Sequence, residues 1–300
     1  MKTVFRKYLL AMLASTVVMS GTSRAADKLP VTASFSILGD LVRVVGGDRV
    51  AVTTLVGPDE DAHVFEPKPA DAKAIVQSKL FAINGLGFEP WAQKLAKSAS
   101  YKGETLVASN GVKGRTLADE KGRPEADPHA WQDPTNVVLY VRNIAATLTK
   151  LDPAGAATFQ SHSDAYVKEL QALDGWAKDQ FSAIPATKRK VITSHDAFGY
   201  FAAHYQLKFL APQGMSTEAE PSAKEVANLI RQIKREKIKA VFMENMSNPK
   251  LLAQLSQDAG VTVGASLYAD ALSGAGKPGA TYLQMMRYNV TQIATGMKLN

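Results

Sequence analysis

The chain has 300 residues, with 35 Lys and Arg against 28 Asp and Glu, only five histidines and no cysteine. The formal charge of +7 is partly a matter of position, because Lys2, Arg6, Lys7 and Arg24 all fall before residue 26. Without them the charge drops to about +3, and no arginine cluster alternates with aromatic residues, which excludes a nucleic-acid footprint.

Residues 1–25 have the parts of an export signal: basic residues, an apolar run from Tyr8 to about Ser20, and small residues from Ser23 to Ala25. The expectation is cleavage after Ala25, since the segment is too short and wrongly flanked for a stable transmembrane helix. With no cysteine, the exported chain folds without disulfides and has no cysteine on which to carry a lipid. The expected location is therefore the periplasm, without a lipid anchor. A mature length of about 275 residues suits two lobes, each burying its own core.

Short β-rich runs alternate with helical patterns in the first half. Strands are predicted at Val31–Ser34, Val50–Leu55, Leu80–Ile83 and Thr105–Ala108, and helices at Ile37–Val45, Pro69–Gln77, Pro90–Ser98 and Pro134–Leu151. This order predicts a parallel sheet with crossover helices. The stretch that follows carries Tyr166, Leu170, Leu173, Trp176 and Phe181 near helical spacing, and reads as one connecting helix from Ala154 to Ser182 despite Gly175. A second strand set is predicted at Val191–Thr193, Lys208–Leu210, Ala240–Met243 and Thr262–Ala265, with a last helix from Ala280 to about Gly296. Ser222 and Glu225 form a capping box that starts another helix, and Glu218 and Glu220 lie near its positive end. The fold class is α/β: two lobes, each a parallel sheet flanked by helices, joined by a long rigid helix. The boundaries are 1–25 for the signal, 26–152 for the first lobe, 153–184 for the connecting helix and 185–300 for the second lobe.

Three of the five histidines stand where open α/β sheets place ligands, at junctions beside strand ends. His63 lies in a turn-rich segment after the strand ending near Leu55, and His129 is bracketed by Asp127-Pro128 and Asp133-Pro134. His195 follows the apolar run Val191–Ser194, and Asp270 sits in a loop after the last predicted strand. His162 and His204 fall within helical patterns and are expected at the surface or in local hydrogen bonds. Three neutral imidazoles with one carboxylate form a four-ligand set suited to zinc and tolerable for manganese. Asp127, Asp133 and Glu244 are candidates to hold the far imidazole nitrogens. The segment from Gly274 to Lys277 lacks the upstream glycine of a phosphate loop and is followed by Pro278.

Several stretches together resemble the metal-specific solute-binding proteins of ATP-binding-cassette importers, the group of zinc and manganese receptors. They are Asp61–Asp71, Asn84–Trp91, Asp127–Pro134, Ser194–Ala202, Ala219–Val226 and Tyr268–Gly274 with Thr281–Met286. The resemblance covers essentially the whole mature chain. It implies a metal held between two lobes by His63, His129, His195 and Asp270, no catalysis, and delivery to the permease subunits of an inner-membrane importer by a monomer. A histidine at position 195, where manganese receptors of the family can carry glutamate, favours zinc, with manganese or iron as alternatives. Two features depart from the family. Residues 111–126 contain no histidine, where zinc receptors often carry a histidine-rich loop, and the lipobox cysteine of Gram-positive relatives is absent.

Two rival functions follow from the same residues: a metallohydrolase with Asp270 or Glu244 as general base, and a receptor for an organic solute. Four protein ligands leave no open position for an activated water, which separates a carrier from a zinc hydrolase.

Overall fold

The computed structural model describes residues 27–118, 124–247 and 249–300. The expected signal segment lies outside the described residues. No helix among the described residues is long and apolar enough to cross a membrane.

The first lobe is built on a four-stranded parallel sheet in the order β2-β1-β3-β4, with β1 at Leu29–Phe35, β2 at Val50–Val56, β3 at Leu80–Ile83 and β4 at Glu104–Val107. The helices α1 (Ser36–Gly46), α2 (Pro69–Gln77) and α3 (Pro90–Ser98) make the connections. Every residue of β1 from Val31 to Phe35 is buried, as expected of a strand covered on both faces. A short antiparallel pair, β5 (Thr116–Ala118) and β6 (Pro124–Ala126), follows the sheet and leads into α4 (Pro134–Leu151). The sequence pattern had not indicated this hairpin.

The connecting helix α5 runs from Ala156 to Ser182 without a break, after a single 3-10 turn at Pro153–Gly155. Its 27 residues span about 40 Å at the usual rise. Phe159, Tyr166, Leu170, Leu173, Ala177 and Phe181 form one buried stripe along it, packed against α1, α4 and the last helix, α9 (Tyr282–Lys298). Gly175 does not interrupt the helix because it lies on the solvent side, where an added Cβ would meet nothing within 4 Å.

The second lobe contains β7 (Lys190–Ile192), α6 (Gly199–Tyr205), β8 (Lys208–Leu210), α7 (Ala223–Glu236) and α8 (Pro249–Ala259). Strands β7 and β8 pair in parallel. The strands expected at Ala240–Met243 and Thr262–Ala265 are reduced to single parallel bridges, Ile192 to Val241 and Val241 to Val263. The reason is local: the Val241 N–H donates back to Lys239 O at 3.0 Å, a tight turn that interrupts a regular ladder. The capping box is present, with Ser222 Oγ accepting from Glu225 N and Glu225 accepting from Ser222 N.

Burial does not divide evenly between the lobes. One continuous apolar cluster runs from β1 and α1 through α5 into α9, taking in Tyr282, Met285, Met286, Val290 and Ile293. A smaller one, around Ile192, Leu229, Ile233, Val241 and Leu255, belongs to the second lobe. Helix α9 thus fastens the second lobe to the first, with the Tyr282 N–H donating to Asp40 Oδ2 at 2.8 Å.

Because Gly175 is helical and exposed, Gly175→Ala is expected to stabilise the fold by about 0.5–1 kcal/mol. The check is a higher urea midpoint at unchanged slope.

Candidate metal centre

His63 stands on the loop between β2 and α2, and His129 at the turn between β6 and α4. His195 follows β7, and Asp270 lies on the loop between the Glu244–Leu267 bridge and α9. The structure brings all four together, each offering one ligand atom within 4.8 Å of the others. Asp270 Oδ2 is 3.1 Å from His195 Nε2 and 3.3 Å from His63 Nε2. His129 Nε2 is 3.4 Å from His63 Nε2 and 3.7 Å from Asp270 Oδ1. A tetrahedral ion with bonds of about 2.0–2.1 Å requires ligand separations of about 3.3 Å, and these four distances lie near that value in a set whose ligand atoms are all within 4.8 Å of one another.

Hydrogen bonding fixes which ring nitrogen faces inward. The Asp127 carboxylate accepts from His129 Nδ1 at 2.9 Å and from the His129 backbone N–H at 3.0 Å. The Glu244 carboxylate accepts from His195 Nδ1, and from the Ser194 and His195 backbone N–H groups at 3.0 and 3.1 Å. A carboxylate only accepts, so each Nδ1 carries a proton and each Nε2 is the nitrogen turned to the centre. Asp133 serves elsewhere. It caps α4 through Thr135 N at 2.8 Å, and its other oxygen faces His204 Nδ1 at 3.4 Å.

The loop that carries Asp270 is held from both lobes. Trp131 Nε1 and Gln132 Nε2 both donate to Ala269 O, at 3.0 and 2.7 Å. From α9, Asn289 accepts from Tyr268 N at 3.0 Å and donates to Tyr268 O at 2.7 Å. Behind the imidazoles lies an aromatic wedge in which Phe88 sits 4.9 Å from the His63 ring and 4.6 Å from Trp131. Water is largely shut out: His129 and His195 are fully buried, Asp270 is 1% exposed and His63 is 7% exposed.

Within this shell His195 Nε2 and both Asp270 oxygens are buried without a hydrogen-bond partner. Orphaned polar atoms are costly in a dry interior, and these three point at one spot. Burial works against charge on His195, but Glu244 and Asp270 outweigh it and hold the imidazole well above its ordinary value. Burial likewise opposes charge on Asp270, yet His195 and His129 beside it hold the carboxyl well below the usual range.

The two remaining histidines make tertiary contacts. His162 Nδ1 lies 3.1 Å from Val45 O. His204 Nε2 lies 2.6 Å from Asp174 on α5, so it ties α6 to the connecting helix.

Sequence reasoning missed Glu89. It is buried and accepts from Ser34 Oγ at 2.6 Å and from the N–H groups of Asn84 and Gly85 at 2.6 and 3.2 Å. Asn84 Nδ2 then donates to Pro128 O at 2.9 Å, so this network braces the turn that carries His129. The signal available was an acidic residue inside the apolar stretch Asn84–Trp91. Burial pushes the Glu89 carboxyl up to about 7.

Residues 31–296 match the family described as zinc-uptake complex component A, periplasmic. The chain belongs to this family. Its members are metal-binding receptors of ATP-binding-cassette importers, not enzymes. The manganese-binding lipoprotein MntA of Halalkalibacterium halodurans is 32% identical over 278 residues, covering 93% of this chain and 91% of that protein. The iron ABC transporter substrate-binding lipoprotein MtsA of Streptococcus pyogenes is 31% identical over 306 residues, covering 99% and 98%. Among solved structures, the periplasmic zinc binding protein TroA from Treponema pallidum superposes with a TM-score of 0.85 at 27% identity, covering 90% of this chain and 99% of that one.

The relatives correct one expectation. MntA and MtsA are named as lipoproteins, so the expected absence of a lipid anchor does not stand for this chain. The step from its cysteine-free sequence to a freely diffusing protein was too wide, because a missing cysteine bears on one attachment chemistry and not on membrane attachment as such.

Glu89 and His195 both hold protons in the folded state that the unfolded chain releases at lower pH. Their stabilising contributions are complete below about pH 4.5 and about pH 6.5 respectively, and are lost as pH rises through the folded values. Asp270 acts in the opposite sense, with its contribution lost only as pH falls through its depressed value. Metal-free protein is therefore expected to lose stability as pH rises from about 5 through about 7, the range set by Glu89, with His195 adding to the loss above about pH 6.5. Urea midpoints across that range check this, and Glu89→Gln should flatten the slope.

Proposed function

We propose that His63, His129, His195 and Asp270 hold a single divalent transition metal, zinc in preference to manganese, and that the chain delivers it to the permease of an ATP-binding-cassette importer. The observation that carries this reading is the convergence of four buried ligand atoms within 4.8 Å of one another, with His195 Nε2 and both Asp270 oxygens unpartnered. Three imidazoles and one carboxylate are a donor set that suits four-coordinate zinc, which supports the zinc reading. All four ligands come from one chain, so the site needs no second copy, which supports a monomeric receptor.

Manganese is the second reading. Both Asp270 oxygens are free of hydrogen bonds, so the carboxylate can bind through both and raise the coordination number. The manganese and iron in the relatives' names support this alternative.

The deciding experiment strips the protein and reloads it under equimolar zinc and manganese, followed by elemental analysis. Retention of about one zinc per chain is expected, and none in His195→Ala; predominant manganese would overturn the zinc assignment. The carboxylate behind His195 is expected to matter nearly as much as a ligand. Glu244→Gln should weaken zinc binding about 10- to 100-fold, measured by chelator competition.

Metal binding requires His195 to shed the proton it holds to unusually high pH, so affinity falls on acidification. In Glu244→Gln that proton is lost more readily, and the pH dependence of binding is expected to begin at lower pH. Calorimetry in buffers of different ionisation enthalpy reads the protons released.

A further inference from the structure

The four proposed ligands are not equally enclosed. His129 and His195 have no exposure, Asp270 1% and His63 7%. His63 alone among them also lines a cavity of about 400 Å³, together with Phe88, Glu125, Pro128, Met215 and Glu218. One wall belongs to the first lobe and the other to the loop after β8. Behind His63 the path continues directly, because its Nε2 lies 3.3 Å from the unpartnered Asp270 Oδ2. A larger cavity of about 710 Å³ adjoins Asp196, Gln213 and Met215 but touches none of the four ligands.

Within the second lobe the loop that forms the outer wall is paired to the backbone beside His195, with the Asp196 N–H donating to Gly214 O at 3.1 Å. Gln213 Nε2 donates to Thr217 O at 3.1 Å and to Ala219 O at 2.9 Å, which shapes the loop internally. Its tie across to the first lobe at this mouth is Thr217 Oγ1, which donates to Asp61 Oδ2 at 2.7 Å. The other oxygen of the same carboxylate accepts from the His63 backbone N–H at 2.9 Å. One carboxylate therefore holds both the most exposed ligand and the loop that covers it.

We infer that metal enters and leaves past His63 through this cavity, and that the Thr217–Asp61 hydrogen bond is the latch that sets the rate of exchange. This rests on the ligand assignment proposed above. The latch is half-buried and, among the described residues, the one side-chain bond from this loop to the first lobe, so it breaks without disturbing the aromatic wedge or the Ala269 clamp. Glu125 and Glu218 are exposed at the rim and give the approach a negative potential. A cation is drawn in by such a rim at low ionic strength, and the effect is screened by salt.

The test uses the whole chain loaded with zinc. Stopped-flow mixing with excess chelator gives the release rate, and mixing metal-free protein with zinc and an indicator dye gives the association rate. Thr217→Val is expected to raise both rates roughly tenfold, in keeping with loss of one hydrogen bond to a charged group, while Thr217→Ser stays near wild type. The double variant Glu125→Gln with Glu218→Gln is expected to lower association about threefold at low salt, with the difference vanishing at high salt.

A rise in release alone for Thr217→Val would mean a weakened site and not an opened route, and would overturn the inference. So would wild-type rates in all the variants. In both cases zinc binding by the wild type, abolished in His195→Ala, would leave the ligand assignment standing; failure of the wild type to bind zinc would remove both.

Discussion

A buried carboxylate with nothing to satisfy it organises the centre. Asp270 is 1% exposed and both of its oxygens lack hydrogen-bond partners, an arrangement that an isolated ion does not sustain in a dry interior. The surroundings supply the missing positive charge by pulling a proton onto His195, whose ring nitrogen is 3.1 Å away. On the proposed reading a divalent cation takes the place of that proton. Asp270 is joined by two more carboxylates, Asp127 behind His129 and Glu244 behind His195, and by one guanidinium, Arg115, with its Nε 3.4 Å from Asp127 Oδ2. Three negative groups and one positive group in direct contact leave a deficit that a divalent ion closes.

The fold meets this demand by fastening the two lobes together around the ligands. Tyr282 on α9 donates its backbone N–H to Asp40 and its hydroxyl to Trp131 O at 2.8 Å, while the Leu272 N–H reaches Ser36 Oγ at 2.9 Å. With the apolar cluster continuous from α1 to α9, wide separation of the lobes would expose a packed core and break buried hydrogen bonds together. The loop after β8, by contrast, reaches the first lobe through one side-chain bond among the described residues, Thr217 to Asp61. Loading and release are therefore better served by local loop motion than by a hinge through α5, because only the loops can move without that loss.

What was legible in the sequence follows the range of the forces involved. Alternation and capping are local, so α2, α3, α4 and the start of α7 stand where periodicity and the Pro or Ser signals put them. The four converging side chains were visible because strand ends are where such sheets gather ligands. Asp127 was within reach of the same reasoning, two residues from its imidazole, whereas Asp133 has the same chemistry but is engaged by the cap of α4. The Glu89 brace and the Asp61–Thr217 tie join residues 55 and 156 positions apart, and no local pattern announces such pairs. The lost strand at Ala240–Met243 fails for the opposite reason: its composition is that of a strand, but a backbone turn at Lys239–Val241 overrides it.

Metal choice then turns on stiffness more than on ligand type. The two imidazoles hydrogen-bonded to carboxylates are strong donors for zinc and manganese alike, so they raise affinity without deciding between them. On the proposed reading the discrimination comes from geometry, because zinc accepts four ligands at tetrahedral spacing while manganese is better satisfied by more oxygen donors. His129 and His195 are anchored through both ring and backbone to Asp127 and Glu244. The freedom to add a fifth contact therefore rests with the second oxygen of Asp270. That oxygen is as mobile as the Tyr268–Asp270 loop, and the loop is pinned at Ala269 O by Trp131 and Gln132 and at Tyr268 by Asn289. On the proposed reading, a frame held on both sides of Asp270 keeps the centre small, and a small four-coordinate centre favours zinc.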